Sequence, residues 1–265
     1  MKRQLSLPWY GLGHVLIFFG VCAVLLAFVS PLMPKLPGFW SQFALGATTS
    51  LATLFLTLVF VRWDRLRLRD VGAAFSSRSA CHFLFGSMLG IGLVAVQALL
   101  IAVAAHVRWT RVPHIGLTAM AVPLLAYLAL ACREELAFRG YPLRRLENFF
   151  GPLIAQLVVA SVFALEHVAG GYTWTNALLG VFVGSLLFGM AALATRGLAV
   201  PIGLHAMWNY GQWFLGEKEF PGPWKVIVED RFQSHAKIVG MSGYLVAAGI
   251  SILAFGWWYR RNRPA

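Results

Sequence analysis

Apolar runs of about 20 residues, separated by short polar breaks, fill this chain from one end to the other. A run of that length is what one α-helical crossing of a bilayer requires. Eight are predicted: Trp9–Met33, Phe39–Val61, Phe83–Val107, Leu117–Phe138, Pro152–Ala169, Thr175–Thr195, Leu198–Leu215 and Met241–Tyr259. No repeat of roughly 20–50 residues is visible and no linker splits the runs. The expectation is one membrane domain over residues 1–265, all-α, a polytopic membrane helix bundle.

Three runs carry polar groups that lipid would not tolerate, and ionisable residues inside membrane helices are functional by default. The first is LALACREELAFRGYPLRR (Leu128–Arg145). Glu135 and Arg139 are an i,i+4 pair, acid before base, able to satisfy each other on one helix face. Glu134 projects about 100° further round and is expected to be left without that partner. In the fifth run Phe163 and His167 share a face, with Glu166 off it and suited to a supporting role. In the seventh run His205 and Asn209 share a face. Gly180, Gly184 and Gly189 of the sixth run let helix backbones approach closely. His14, alone on the first run, is expected to bond a neighbouring carbonyl.

Composition changes the picture in one respect. With 59% hydrophobic and 12% charged residues, the chain has half the usual charge of about 25% in soluble domains. A net charge of +12 raises the question of nucleic acid. The basic residues lie between apolar runs and are not interleaved with aromatics on a soluble face, so no nucleic-acid partner is expected. With the N-terminus inside, 15 of the 22 Lys and Arg fall on cytoplasmic flanks and 7 on outer ones, which places both termini in the cytoplasm. The loop Arg62–Arg78 is expected to be a basic connector facing lipid headgroups. Cys22, Cys81 and Cys132 have unrelated spacings, which argues against a disulfide framework and a zinc ribbon. The first run lacks the cleavage site of a signal peptide and is read as a retained anchor.

EELAFRG (Glu134–Gly140), Phe163-x-x-x-His167 and His205-x-x-x-Asn209, in that order on separate membrane helices, resemble the CPBP intramembrane glutamic-type endopeptidases. That family includes the type II CAAX prenyl proteases and the bacteriocin-processing and self-immunity (Abi) proteins. The resemblance covers roughly Leu128–Gln212 and implies a catalytic core over 117–215 in a bacterial cytoplasmic membrane. It implies hydrolysis of a peptide bond in a membrane-associated protein or peptide, lipidated or not, with membrane lipids around it. The residue chemistry is compatible: Glu134 and His167 suit water activation, His205 and Asn209 suit oxyanion donors, and Glu135, Arg139 and Phe163 suit support. No cofactor is expected. The alternative is a zinc protease with His167, His205 and Glu134 as ligands, although HExxH is absent. A transporter or peptide-binding membrane protein is the non-enzymatic alternative.

One geometric difficulty follows from eight simple crossings. Glu134 would then lie near the cytoplasmic end of its helix and His167 near the outer end, roughly 20 Å apart in depth. They can meet only if the fourth helix continues past Phe138 inside the protein and the fifth begins several residues after Gly151. The stretch RGYPLRRLENFFG is expected to be an amphipathic connector at the cytoplasmic interface.

Overall fold

A computed structural model describes residues 8–105, 107–113 and 115–262. The expected charges at Lys2, Arg3 and Arg263, and His106 near the end of the third expected span, lie outside these residues. The chain is an all-α polytopic bundle. Its helices are α1 (Pro8–Leu32), α2 (Phe39–Trp63), α3 (Ser79–Ala104), α4 (Leu117–Glu135), α5 (Tyr141–Ala169), α6 (Val183–Thr195), α7 (Ala199–Phe214) and α8 (Gln233–Arg261). Among the described residues six helical runs are long and apolar enough to cross a membrane. The expected eight do not map one for one onto these: the run Leu117–Ala169 takes in two of the expected spans, and α7 has only 16 residues.

The sheet content is one feature the apolar pattern did not contain. Strands β1 (Arg108–Arg111) and β2 (Trp224–Ile227) pair antiparallel, Arg108 opposite Ile227 and Arg111 opposite Trp224. The loop after α7 is thereby tied to the α3–α4 connection, and α8 begins at Gln233, eight residues earlier than expected.

Close helix approach is carried by small residues. A Cβ at Gly86, Gly90 or Gly203 would run into the backbone of the facing helix in the α3–α7 pair, which is how membrane helices gain contact without a hydrophobic drive. Gly46 does the same for α2 on α4, where Ser50 Oγ donates to Ala129 O at 2.9 Å. Of the glycines singled out earlier, Gly184 faces Tyr244 on α8 and Gly189 faces the Gln156 side chain. Gly180 faces open space instead; its contribution is its carbonyl, which accepts from Tyr244 OH at 2.6 Å.

The decisive feature is the path of α4 into α5. After Glu135 the helix passes through one π-turn, Leu136–Gly140, and continues as α5 to Phe150. There Gly151 adopts φ 78°, ψ 170° and the chain folds back, with Pro152 opening the returning arm. RGYPLRRLENFFG is therefore no separate connector between two spans: it continues the helix and packs inside the protein. Tyr141, Leu143 and Leu146 are fully buried, and Arg144 and Arg145 are buried as well. The descending arm from Leu117 to Phe150 is about 50 Å long at about 1.5 Å per residue, more than the roughly 30 Å of bilayer hydrocarbon. Glu134 consequently lies midway along that arm, not near its end. It precedes Gly151 by 17 residues and His167 follows it by 16, so the two come level. Phe138 against Phe163 (ring centroids 4.8 Å apart) and Arg133 against Glu166 (2.9 Å) bridge the two arms.

Candidate active site

Glu135 and Arg139 sit at the bottom of the site, both with fully buried side chains. Arg139 Nη1 donates to Glu135 Oε1 at 3.3 Å, the i,i+4 pair expected from the spacing. Arg139 also uses Nη2, donating to Ser185 Oγ of α6 at 2.8 Å. Its guanidinium carbon lies 4.5 Å from the ring centroid of Phe163 and 5.5 Å from that of Phe188. A desolvated guanidinium between aromatic faces gains cation–π attraction that water would otherwise screen. Glu135 Oε1 is shared: His205 Nδ1 lies 2.9 Å from it, and a carboxylate can only accept. The His205 ring stacks on Phe188 at 4.4 Å and 16°. Glu135 thus sets the position of His205 as well as that of Arg139.

Glu134 is not the unpartnered carboxylate expected from the helical wheel. Arg133 Nη2 donates to its Oε1 at 2.8 Å, while Arg133 Nη1 donates to Glu166 Oε1 at 2.9 Å. One guanidinium fork therefore bridges two acids across the hairpin arms. The other oxygen of Glu134, Oε2, faces His205 Nε2 at 3.6 Å, an ionic approach longer than a hydrogen bond. His167 lies within electrostatic reach of Glu134. Its Nδ1 is 2.9 Å from Phe163 O, an acceptor, so Nδ1 carries the proton and Nε2 is left as the acceptor. The His167 ring also meets Tyr172 edge-on at 5.1 Å. Asn209, one turn beyond His205, accepts at Oδ1 from Lys218 Nζ at 3.0 Å.

Glu134, Glu135, Arg139, Phe163, His167 and His205 are thus linked directly, and Asn209 joins them along the face of α7. Three partners escaped the sequence reading. Arg133 was in plain view beside Glu134, its reach underestimated. Ser185 and Lys218 carry no local signal: one is a serine in a glycine-rich helix, the other a lysine in a loop. Burial holds the Lys218 ammonium below the ordinary lysine range, with Glu217 and Glu134 opposing. Burial raises the Tyr172 phenol, helped by Glu134 and Glu219.

Residues 116–211 match the family model described as type II CAAX prenyl endopeptidase Rce1-like. That match supports the assignment of the region to the CAAX prenyl endopeptidase family. The chain is accordingly a hydrolase of the endopeptidase type in a multi-pass membrane bundle. No curated protein sequence matches the chain. Every residue named in the cluster except Lys218 lies within the Rce1-like region.

Below the Rce1-like cluster, two further buried polar groups fasten the helices. Asp64, whose side chain is buried at the end of α2, receives Tyr141 OH at 2.5 Å on Oδ2 and faces His14 Nδ1 at 2.8 Å on Oδ1. Arg145 Nε approaches the same Oδ2 at 2.7 Å, an ion pair whose angle is too poor for a hydrogen bond. His14 is therefore not bonded to a neighbouring carbonyl; it pairs with a carboxylate 50 residues away. The Arg62–Arg78 loop carries a buried structural acid as well as its exposed basic face. Glu147 gathers Arg144 at 3.1 Å, Arg196 at 3.1 Å and Tyr259 OH at 2.8 Å.

Among the described residues no three His, Cys, Asp or Glu side chains converge in a way that could hold a metal ion.

Proposed function

We propose that the chain hydrolyses a peptide bond of a membrane-associated protein or peptide, lipidated or not, within the bilayer, with Glu134 as the base. The observation that supports this best is the approach of Glu134 to His205 Nε2 at 3.6 Å, with His167 carried to the same level by the Gly151 hairpin. A water taken between Glu134 and His167 Nε2 would lose a proton to the carboxylate as its oxygen attacks the scissile carbonyl carbon. The oxyanion would be met by N–H donors on α7, from Asn209 and from His205 Nε2. With Nδ1 donating to Glu135, His205 donates from Nε2 as well only as imidazolium. Collapse of the tetrahedral intermediate breaks the C–N bond, and Glu134 returns the proton to the leaving amine. Glu135, Arg139 and Phe163 would hold this geometry. The site would need no cofactor.

A zinc reading has one specific observation behind it. Both histidines give Nδ1 to a protein acceptor, the arrangement that also orients metal-bound imidazoles. Against it, Asn209 is a poor zinc ligand, and His167, His205 and Glu134 are not grouped as a ligand set.

The test uses purified full-length protein in lipid nanodiscs and two fluorogenic peptides of the same sequence, one with a farnesylated cysteine and one without. Glu134→Gln keeps the shape and removes the base, so cleavage should fall by about 10²–10⁴-fold while the protein stays folded. Activity of the Glu134→Gln protein within about threefold of the parent would refute the assignment. If exhaustive chelation abolishes cleavage and one equivalent of zinc restores it, His167 and His205 are ligands and the metal-free reading is wrong.

A further inference from the structure

The turn after α7 brings a lysine back onto the active face. Glu217 N donates to Gln212 O at 2.8 Å and Gly216 N to Trp213 O at 3.0 Å, closing the helix end. Gly216 takes φ 76°, where a Cβ would strike Trp224 O, so the reversal needs glycine. The indoles of Trp213 and Trp109 donate to Pro221 O and Leu215 O, each at 3.1 Å, and Val112 N donates to Pro223 O at 2.8 Å. The loop is thus pinned at both ends. Lys218 is its half-buried cation, and no carboxylate among the described residues lies within 4.0 Å of it. A cation withdrawn from water without a direct ion pair is costly, and Glu217 and Glu134 act on it only from further away. Its partner is the side-chain carbonyl of Asn209.

That bond decides which way the amide faces. A lysine ammonium donates only, so the oxygen of Asn209 must be the end turned towards Lys218. The NH₂ is then left for another acceptor, one turn along α7 from His205. Without the ammonium, a half-turn about the last side-chain bond would exchange donor for acceptor at little cost.

We infer that Lys218 is a positioning residue, whose contact with Asn209 Oδ1 holds the amide with its N–H donors towards the oxyanion. The inference rests on the proposed role of Asn209. It gives the loop after α7 a part in the chemistry although Lys218 touches no reacting atom.

The test compares the parent with Lys218→Met, Lys218→Arg, Asn209→Ala and the double variant Asn209→Ala/Lys218→Met on the same two peptides. Removing one oxyanion donor costs about 10²–10³-fold in kcat, and losing only its orientation should cost less, about 10-fold, with KM within about twofold. Lys218→Arg should restore most of the loss, because it still donates. In the Asn209→Ala background Lys218→Met should change kcat by less than about twofold, since coupled residues do not add. A full further loss in that background overturns the inference. So does a raised KM with unchanged kcat, which would make Lys218 a direct substrate contact. If Asn209→Ala itself leaves kcat unchanged, the oxyanion role falls, and the inference with it, by a distinguishable result. A readout without turnover checks the contact: Lys218 should acylate with a water-soluble succinimidyl ester more slowly than the exposed Lys35 and Lys237, and faster in Asn209→Ala. An unchanged rate in that variant overturns it too.

Discussion

Removing Arg139 should unfold this protein more readily than any other single charge deletion in the site. The guanidinium and the Glu135 carboxylate are both fully buried, 3.3 Å apart. Breaking a buried pair by deleting one partner costs about 3–5 kcal/mol, because the other charge is left uncompensated. Arg139 also gives up its 2.8 Å bond to Ser185 Oγ and its seat over Phe163. These losses share one side chain and are not added to the figure. Arg139→Met keeps most of the volume and isolates the charge effect. Equilibrium unfolding in mixed SDS–detergent micelles should give a loss of about 3–5 kcal/mol. Glu135→Gln/Arg139→Met, which removes both charges, should recover more than half of it. Exchanging the two charges should not, because an arginine at 135 would press against His205, whose Nδ1 is 2.9 Å from Glu135 Oε1. A loss below about 1 kcal/mol for Arg139→Met, or a double variant no better than the single, would refute the reasoning.

Two further outcomes are expected. Gly151→Ala meets no atom within 4 Å, so its cost is backbone strain alone at φ 78°, ψ 170°, about 1–3 kcal/mol by the same unfolding assay; no change would mean the hairpin does not depend on that conformation. Reporter fusions should place both termini and the Arg62–Arg78 loop in the cytoplasm, following the 15-to-7 distribution of basic residues; a terminus on the other side would overturn that orientation.

Much of the architecture was legible because the bilayer and the α-helix impose lengths of their own. Apolar runs of about 20 residues marked out most of the helices, and the 3.6-residue period placed Arg139 on the face of Glu135. The period failed one residue earlier. On an ideal helix Glu134 and Arg133 diverge by about 100°, but an arginine reaches far enough to curl back, and here it does so at 2.8 Å. That Glu134 and His167 come level was out of reach for a subtler reason. It depends on the helix running past Phe138 through a π-turn and reversing at Gly151, and either arm alone reads as a plain apolar span.

What the chain determined by itself is what depends on neighbours in sequence: which segments are helical, which faces carry ionisable groups, and which acid and base lie one turn apart. Only the tertiary structure decided the contacts between segments far apart. Asp64 joins His14, Tyr141 and Arg145 from two helices, α1 and α5, Ser185 receives Arg139, and Lys218 returns on Asn209 through a glycine turn. The physical reason is that a buried polar group must find some partner, and its own composition does not say which. The packing of distant segments chooses it.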